Sequence, residues 1–116
     1  MNMGIQIFGT KKSADARKAE RFFKERGVKF QYIDLKEKGL SRGELQSVAN
    51  AVGGVDNLID GDGKERDLLI LLQYLTPEDK FDKVLENQSL LKQPVVRNGK
   101  LATVGYAPEI WKTWQY

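Results

Sequence analysis

Short apolar runs and amphipathic segments alternate at the start of the chain. Residues 5–8 form a short apolar run typical of a buried strand. Apolar positions then recur at helical spacing and predict a helix over about residues 14–26. Residues 29–35 are rich in aromatic and β-branched side chains and predict a second strand. A strand, a helix and a strand in this order predict a right-handed βαβ unit with parallel strands. The buried face of the helix is predicted to consist of Ala16, Ala19, Phe22 and Phe23.

A block of helices is predicted over about residues 41–91. Ser41 and Glu44 have the spacing of a capping box, which marks a helix start. Thr76 followed by Pro77 predicts the N-cap and first turn of a later helix. Three apolar stripes in this block are predicted to be buried because an amphipathic helix packs one face against the core. They comprise Leu45, Val48, Ala49 and Val52; Leu68, Leu71, Leu72 and Leu75; and Phe81, Val84 and Leu85.

The last part of the chain predicts a β-hairpin and a final helix. Val95 and Val96 lead into Asn98-Gly99, the pair that favours a two-residue type I′ turn, and residues 100–104 form the returning arm. The final helix is predicted to bury Ala107, Ile110, Trp111 and Trp114, and we interpret both tryptophans as packing residues. The whole pattern predicts an α/β fold, with residues 1–116 in a single domain.

Composition narrows the chemistry more than any motif does. With 116 residues, 41% of them hydrophobic and 30% charged, the chain is expected to fold around one core. No apolar run approaches the roughly 20 residues that cross a bilayer, and no signal-peptide pattern is present. We therefore expect a cytoplasmic protein with no membrane partner. The sequence contains no cysteine and no histidine, which excludes disulfides, thiol chemistry and imidazole acid–base catalysis.

The charge pattern does not favour nucleic acid or metal as a partner. The net charge is +3, and the basic residues between positions 11 and 38 are interleaved with acidic ones, as on a solvated helix face. Asp60, Asp62 and Glu65 surround two glycines without the full spacing of a calcium loop. We interpret them as a solvated turn and expect neither a metal nor a cofactor.

Three segments carry a resemblance to a known family. They are Ile-Phe-Gly-Thr-Lys-Lys-Ser-Ala-Asp-Ala-Arg-Lys-Ala at positions 7–19, Leu-Leu-Lys-Gln-Pro-Val-Val at 90–96 and Val-Gly-Tyr at 104–106. In these segments, and in its order of elements, the chain resembles the arsenate reductase (ArsC)/Spx family. The resemblance covers nearly the whole chain and implies a thioredoxin-like fold with helices inserted in its middle.

The resemblance also implies which positions once carried chemistry. The family's nucleophilic cysteine corresponds to Ser13, and the second thiol position corresponds to Ala16. The arginine that binds the oxyanion in arsenate-reducing members corresponds to Gln93. The following Pro94 is implied to be a cis-proline facing the loop of Ser13. Both thiols and one anion-binding arginine are therefore missing.

Three functions remain open at this point. The first is a redox-inactive family member that binds a protein partner or a small anion, glutathione included. The second is a glutathione- or thioredoxin-coupled, arsenate-reductase-like oxidoreductase whose cysteine is replaced by Ser13, either naturally or by engineering. The third is a transcriptional regulator of the Spx type, which by analogy docks on RNA polymerase.

The loop before the first helix is the candidate site. Backbone N–H groups and the helix dipole at a helix N-terminus favour anions. Alternatively, Ser13 acts only as the N-cap, with Asp15 complementing the dipole in the first turn. A nucleophilic role for Ser13 requires an activating base, and no histidine is available. The candidate anion- or ligand-binding residues are Thr10, Lys11, Lys12, Ser13, Arg17, Gln93 and Pro94.

Overall fold

A computed structural model describes residues 4–116 and contains the predicted order of elements. Two short 3₁₀ segments, Val55–Leu58 and Gln88–Leu90, flank the later helices of the central block. None of the helices in residues 4–116 is long and apolar enough to cross a membrane. The strands and helices are β1 (Ile5–Gly9), α1 (Ala14–Glu25), β2 (Phe30–Asp34), α2 (Arg42–Val52), α3 (Arg66–Leu72), α4 (Pro77–Glu86), β3 (Val95–Asn98), β4 (Leu101–Val104) and α5 (Pro108–Trp111).

The four strands form one mixed sheet in the order β2-β1-β3-β4. β1 pairs in parallel with β2, as the βαβ prediction requires, with Ile7 opposite Tyr32. β1 also pairs antiparallel with β3, where Ile7 lies opposite Val96, and β3 pairs antiparallel with β4. The α/β fold class predicted from the sequence is therefore confirmed. β1 lies between two neighbours, and its carboxyl end delivers the chain to the candidate loop.

Helices cover both faces of the sheet because β1 is apolar on both sides. Ile7 packs on one face in a cluster with Trp111 and Trp114 and with three residues of α1, namely Ala19, Phe22 and Phe23. Phe8 packs on the other face against the α2–α4 block. Trp111 is fully buried and Trp114 is nearly so, which confirms that both tryptophans are packing residues.

Two positions predicted to be buried are exposed. Leu71 is 40% exposed and Ile110 is 50% exposed. Their helices, α3 and α5, are only seven and four residues long. Such short helices bury a narrow stripe, and Leu72 in α3 and Trp111 in α5 already occupy it. The predicted burial of Leu71 and Ile110 was therefore wrong.

The hairpin turn also differs from the prediction. Asn98 pairs with Leu101, so the two turn residues are Gly99 and Lys100 rather than Asn98 and Gly99. Only Gly99 has a positive φ, at 62°, which is the type II′ pattern and not type I′. Asn98 remains in the strand, where its Nδ2 donates a hydrogen bond to the Gln115 carbonyl oxygen at 3.3 Å. The pairing of Asn98 with Leu101 therefore extends the ladder by one residue beyond the prediction.

The predicted capping box ties the helical block to the sheet. The Ser41 N–H donates to Glu44 Oε1 at 2.8 Å, and the Glu44 N–H donates to Ser41 Oγ at 3.2 Å. The second carboxylate oxygen of Glu44 lies 3.3 Å from Nη1 of Arg97 on β3. One carboxylate therefore caps α2 and forms an ion pair with the sheet.

Candidate functional site

The loop between β1 and α1 faces a cleft of about 810 Å³. Thr10, Lys12 and Ser13 line it from the loop side, and Gln93 lines it from the segment that precedes β3. The Gln93–Pro94 peptide bond is cis, as the family resemblance implied, and Pro94 is buried. The cleft therefore brings together two segments that lie far apart in the sequence.

Ser13 is the N-cap of α1. Its backbone is extended, at φ −78° and ψ 115°, and its Oγ accepts a hydrogen bond from the Ala16 N–H at 3.1 Å. Its own N–H donates to the Thr10 carbonyl oxygen at 3.2 Å. Asp15 adds a negative charge in the first turn, where it complements the helix dipole. The Ser13 hydroxyl therefore caps α1, as the N-cap interpretation of the sequence predicted.

Both backbone polar groups of Thr10 are held by side chains from elsewhere in the chain. The Thr10 N–H donates to Gln93 Oε1 at 2.8 Å, across 83 positions of sequence. The Tyr32 hydroxyl donates to the Thr10 carbonyl oxygen at 3.0 Å. Because a backbone N–H can only donate, its partner on Gln93 must be the amide oxygen. Gln93 thus fixes the loop instead of presenting a positive charge to the cleft.

The Tyr32 phenol stays protonated in its role as donor. Partial burial is the main cause that raises the pKa of Tyr32 above its ordinary value, and the negative charges of Glu20 and Asp34 raise this pKa further. The positive charge of Arg17 acts in the opposite direction. The neutral phenol can therefore hold the Thr10 carbonyl across the neutral pH range.

Gly9 allows the strand end to approach the helix closely. A Cβ at position 9 would lie 2.7 Å from the Cβ of Ala16 and 3.2 Å from the Tyr32 hydroxyl. The first of these distances is too short for any real contact between carbon atoms. Gly9 and Ala16 are therefore both small because β1 and α1 meet there, directly behind the loop.

The cleft carries charges of both signs. Lys12, Lys64 and Lys92 line it together with three acidic residues, Asp15, Asp60 and Glu65. Among the predicted candidates, Lys11 and Arg17 are exposed and do not line the cleft. Within residues 4–116, no cluster of acidic side chains is arranged to hold a metal ion.

Several residues of the cleft have no local signal in the sequence. Lys64 and Glu65 belong to the turn before α3, and Lys92 and Tyr106 belong to the hairpin region. A short bridge joins these parts: the Asp60 N–H donates to the Leu90 carbonyl oxygen at 2.9 Å, and the Lys92 N–H donates to the Leu58 carbonyl oxygen at 2.8 Å. This tertiary pairing joins the segment before Lys64 to the segment of Lys92 and Gln93, which faces the loop of Ser13.

Comparison with known families identifies the scaffold. The ArsC family model matches residues 8–114, which is most of the chain. The chain belongs to the ArsC family. Within this family the cleft lies where the resemblance placed the thiol, and in this member it contains a serine.

Two relatives are similar to this chain over most of its length. The chain is 29% identical over 106 residues to the global transcriptional regulator Spx 2 of Oceanobacillus iheyensis, covering 90% of this chain and 78% of the relative. It is 27% identical over 104 residues to the global transcriptional regulator Spx of Streptococcus pyogenes serotype M1, covering 88% of this chain and 78% of the relative.

Solved structures show the same fold at lower sequence identity. An ArsC family related protein from Bacteroides fragilis superimposes with a TM-score of 0.83 at 22% identity, over 95% of this chain and 96% of that one. An arsenate reductase from Vibrio cholerae superimposes with a TM-score of 0.80 at 22% identity, with the same coverage. The thioredoxin-like fold implied by the resemblance is thereby confirmed.

Proposed function

We propose that this ArsC-family protein is a redox-inactive binding protein whose cleft holds a small anionic ligand of the glutathione class. The observation that carries the proposal is the hydrogen bond from the Ala16 N–H to Ser13 Oγ. An oxygen engaged as a helix cap occupies the thiol position in a chain without any cysteine. Thiol–disulfide exchange requires a thiolate, so the missing cysteine supports a binding function over thiol redox turnover.

The charges of the cleft support a ligand of mixed charge. Lys12, Lys64 and Lys92 can meet carboxylates, and Asp60 and Glu65 can meet an ammonium group. Glutathione carries two carboxylates and one ammonium at neutral pH, whereas arsenate and phosphate carry only negative charge. The opening of about 810 Å³ also suits a tripeptide better than a tetrahedral oxyanion.

Titration of the labelled protein with S-methylglutathione, which has no free thiol, tests the proposal. In NMR spectra of the isotope-labelled protein, we expect changes in amide chemical shift centred on Thr10, Ser13 and Gln93, and smaller changes with inorganic phosphate. Lys92→Gln should weaken binding, whereas Lys100→Gln removes the same charge in the hairpin turn and should not. The unchanged chain should show no arsenate reduction in glutathione- or thioredoxin-coupled assays. Turnover above the protein-free background would contradict the proposal.

An oxidoreductase with a replaced cysteine is the alternative, because the N-cap geometry at position 13 is intact. A cysteine at a helix N-terminus has a lowered thiol pKa, since the helix dipole stabilises the thiolate. Ser13→Cys should then form a specific glutathione adduct, and Ser13→Cys/Gln93→Arg should be the more active variant with arsenate. If neither variant turns over arsenate, this alternative is excluded.

A transcriptional role is the second alternative, and the curated relatives favour it. Both relatives described above are global transcriptional regulators of the Spx type. An immobilised copy of this chain should then retain RNA polymerase subunits from a lysate of the source organism. A Ser13→Cys variant should retain them equally, because the redox switch is absent here. Failure to recover any polymerase subunit would exclude this role.

A further inference from the structure

Positive charge is concentrated on one segment of the molecule. Residues 11–29, which contain α1, carry eight lysines and arginines against three acidic residues, a net charge of +5. The whole chain carries only +3, so the remaining residues together are negative. Arg17, Arg21 and Lys24 lie on the exposed side of α1 at the i, i+4, i+7 spacing of one helix face.

A groove runs beside this face, between α1 and α5. We call it the α1–α5 groove; its volume is about 380 Å³. Its cations are Lys18, Arg21, Arg26 and Lys112, and its acidic residues are Glu25 and Glu109. The apolar part of its lining comes from Phe22, Tyr106 and Pro108. Tyr106 is 45% exposed and meets Trp111 edge-on at 5.6 Å between ring centroids.

Two guanidinium groups of the groove lack a carboxylate partner. Lys112 pairs with Glu109 at 3.3 Å, and Lys18 approaches Asp15 at 3.9 Å. Within residues 4–116, neither Arg21 nor Arg26 forms an ion pair, and Arg26 instead stacks 3.7 Å from the Phe22 ring centroid. A planar guanidinium that is fixed on an aromatic ring presents its remaining donors in a defined direction.

We propose that the α1–α5 groove is a docking surface for an acidic protein segment that carries an apolar side chain between its carboxylates. Arg21 and Arg26 bind the carboxylates, and the apolar side chain lies on Tyr106 and Pro108. The charge complementarity selects the class of partner, and the aromatic lining supplies the apolar contact. Apart from Tyr106, which also lines the cleft, this surface lies away from the loop of Ser13, and it requires neither a thiol nor the cleft ligand.

Nucleic acid fits this surface less well than an acidic protein segment does. Glu25 lies among the cations of the groove, and Glu109 lies on the opposite wall. Each of these carboxylates would face a phosphate of a bound duplex and repel it. A protein segment can place a neutral or basic residue opposite each carboxylate, so it tolerates the mixed pattern.

The proposal is tested with a short synthetic peptide in which glutamates flank a leucine. In NMR spectra of the isotope-labelled protein, the changes in amide chemical shift on adding the peptide should centre on Phe22, Arg26, Tyr106 and Lys112. Tryptophan fluorescence should change in parallel, because Tyr106 and Phe22 both contact Trp111. Added salt should weaken binding, and a peptide with glutamines in place of the glutamates should not bind.

Charge-reversal variants locate the site. Arg21→Glu/Arg26→Glu should raise the Kd for the peptide about tenfold or more. Arg21→Lys keeps the positive charge and should retain most of the affinity of the unchanged chain. Lys36→Glu/Lys38→Glu makes the same change in charge on exposed residues outside the groove and should change the Kd less than about twofold. Within residues 4–116, Arg21 forms no ion pair, so Arg21→Glu alone should keep the urea midpoint of the unchanged chain and still bind the peptide more weakly.

Three outcomes would overturn the proposal. Equal weakening by the two double variants would show general charge attraction, and shifts centred on the loop of Ser13 would assign the peptide to the cleft. Tighter binding of a short DNA duplex at the same residues would show a nucleic-acid surface instead. Because Lys92 lines the cleft and not the groove, Lys92→Gln should weaken binding of the cleft ligand without weakening binding of the peptide, so failure here is distinguishable from failure of the proposed cleft function.

Discussion

Ser13 is the N-cap of α1 at the position where the family resemblance placed a nucleophilic cysteine. The hydroxyl oxygen accepts the Ala16 N–H and stabilises the first turn of α1, which a thiol does more weakly because sulfur is a poor acceptor. The loop is then fixed by Gln93 and Tyr32 through the backbone of Thr10. The serine therefore improves a helix cap at the position where the family resemblance placed a nucleophile.

Gly9 gives the first residue-scale prediction. Gly9→Ala should lower the free energy of unfolding by about 1–3 kcal/mol, because the new Cβ overlaps Ala16 at 2.7 Å and the junction of β1 and α1 must open. Urea denaturation measures the loss. Gly43→Ala is the matched control, since a Cβ at position 43 meets nothing within 4 Å. Equal stability of Gly9→Ala and the native chain would show that the junction is loosely packed.

Tyr32 gives a prediction about pH. Because its pKa is raised in the folded protein, the unfolded chain loses the phenolic proton first as the pH increases. This contribution to stability is complete below pH of about 10, the ordinary tyrosine value, and is lost as the pH rises through the folded-state pKa. Tyr32→Phe should be less stable than the unchanged chain at pH 7, because the Thr10 carbonyl loses its donor. Above pH of about 10, its stability should decline less than that of the unchanged chain, because it has no phenol at position 32 to titrate. Urea midpoints across the alkaline range provide the measurement, and parallel declines would contradict it.

At the scale of elements, α5 depends on one buried hydrogen bond. The helix has a single turn, and Trp111 anchors it by donating its indole N–H to Thr103 Oγ1 on β4 at 2.8 Å. Both side chains are buried. The Tyr116 hydroxyl adds a hydrogen bond to the Trp111 carbonyl oxygen at 2.6 Å. So short a helix has little stability of its own, and these contacts hold it on the sheet.

Thr103→Val tests this anchor. Valine keeps the shape of threonine but leaves the indole N–H buried without an acceptor, so the free energy of unfolding should fall by about 1–3 kcal/mol. Thr103→Ser retains the acceptor and should lose less, since only a methyl group is removed. Urea denaturation followed by tryptophan fluorescence distinguishes the two variants. If the order of stability were reversed, methyl packing and not the hydrogen bond would hold α5.

The helix caps were predictable from the sequence, whereas the hairpin turn was not. The capping box of Ser41 and Glu44 and the N-cap role of Ser13 were predictable, because each depends on neighbours within one turn. The hairpin turn was not: the Asn98-Gly99 pair locally favours type I′, but Asn98 stays in β3 opposite Leu101.

The same reason limits what could be predicted of the site. Thr10, Lys12 and Ser13 follow one strand, so their place in the loop is a local property. Lys92 adjoins Gln93, but Lys64 reaches the cleft through the pairing of Ile59 with Leu91, which no spacing in the sequence indicates. Sequence reasoning therefore found one wall of the cleft and missed most of the opposite wall.

At the scale of the whole molecule, β1 joins two hydrophobic clusters. Ile7 belongs to the cluster that contains both tryptophans, and Phe8, its neighbour, belongs to the cluster of the α2–α4 block. Both side chains are essentially inaccessible to solvent. Because β1 contributes to both clusters, loss of packing on one face of the sheet should also disturb the packing on the other face.

Phe8→Ala tests this coupling. The truncation should cost about 3–5 kcal/mol, because it opens a cavity in the α2–α4 cluster. Tryptophan fluorescence, which reports the opposite cluster, should still lose its native signal at the same urea concentration as far-UV circular dichroism. Leu101→Ala, at a side chain that is 50% exposed, should leave both midpoints nearly unchanged. Separated transitions in Phe8→Ala would show that the two faces unfold independently.

Tyr106 has a consequence that reaches beyond either surface alone. Its side chain forms part of the cleft that faces Ser13 and part of the α1–α5 groove. An occupant that turns this ring from one side changes the wall that the other occupant meets. By thermodynamic reciprocity, whatever the cleft ligand does to the affinity of the groove, the groove partner does equally to the affinity of the cleft. Tyr106 is thus a shared wall through which a ligand bound on one side can change the binding of a ligand on the other side.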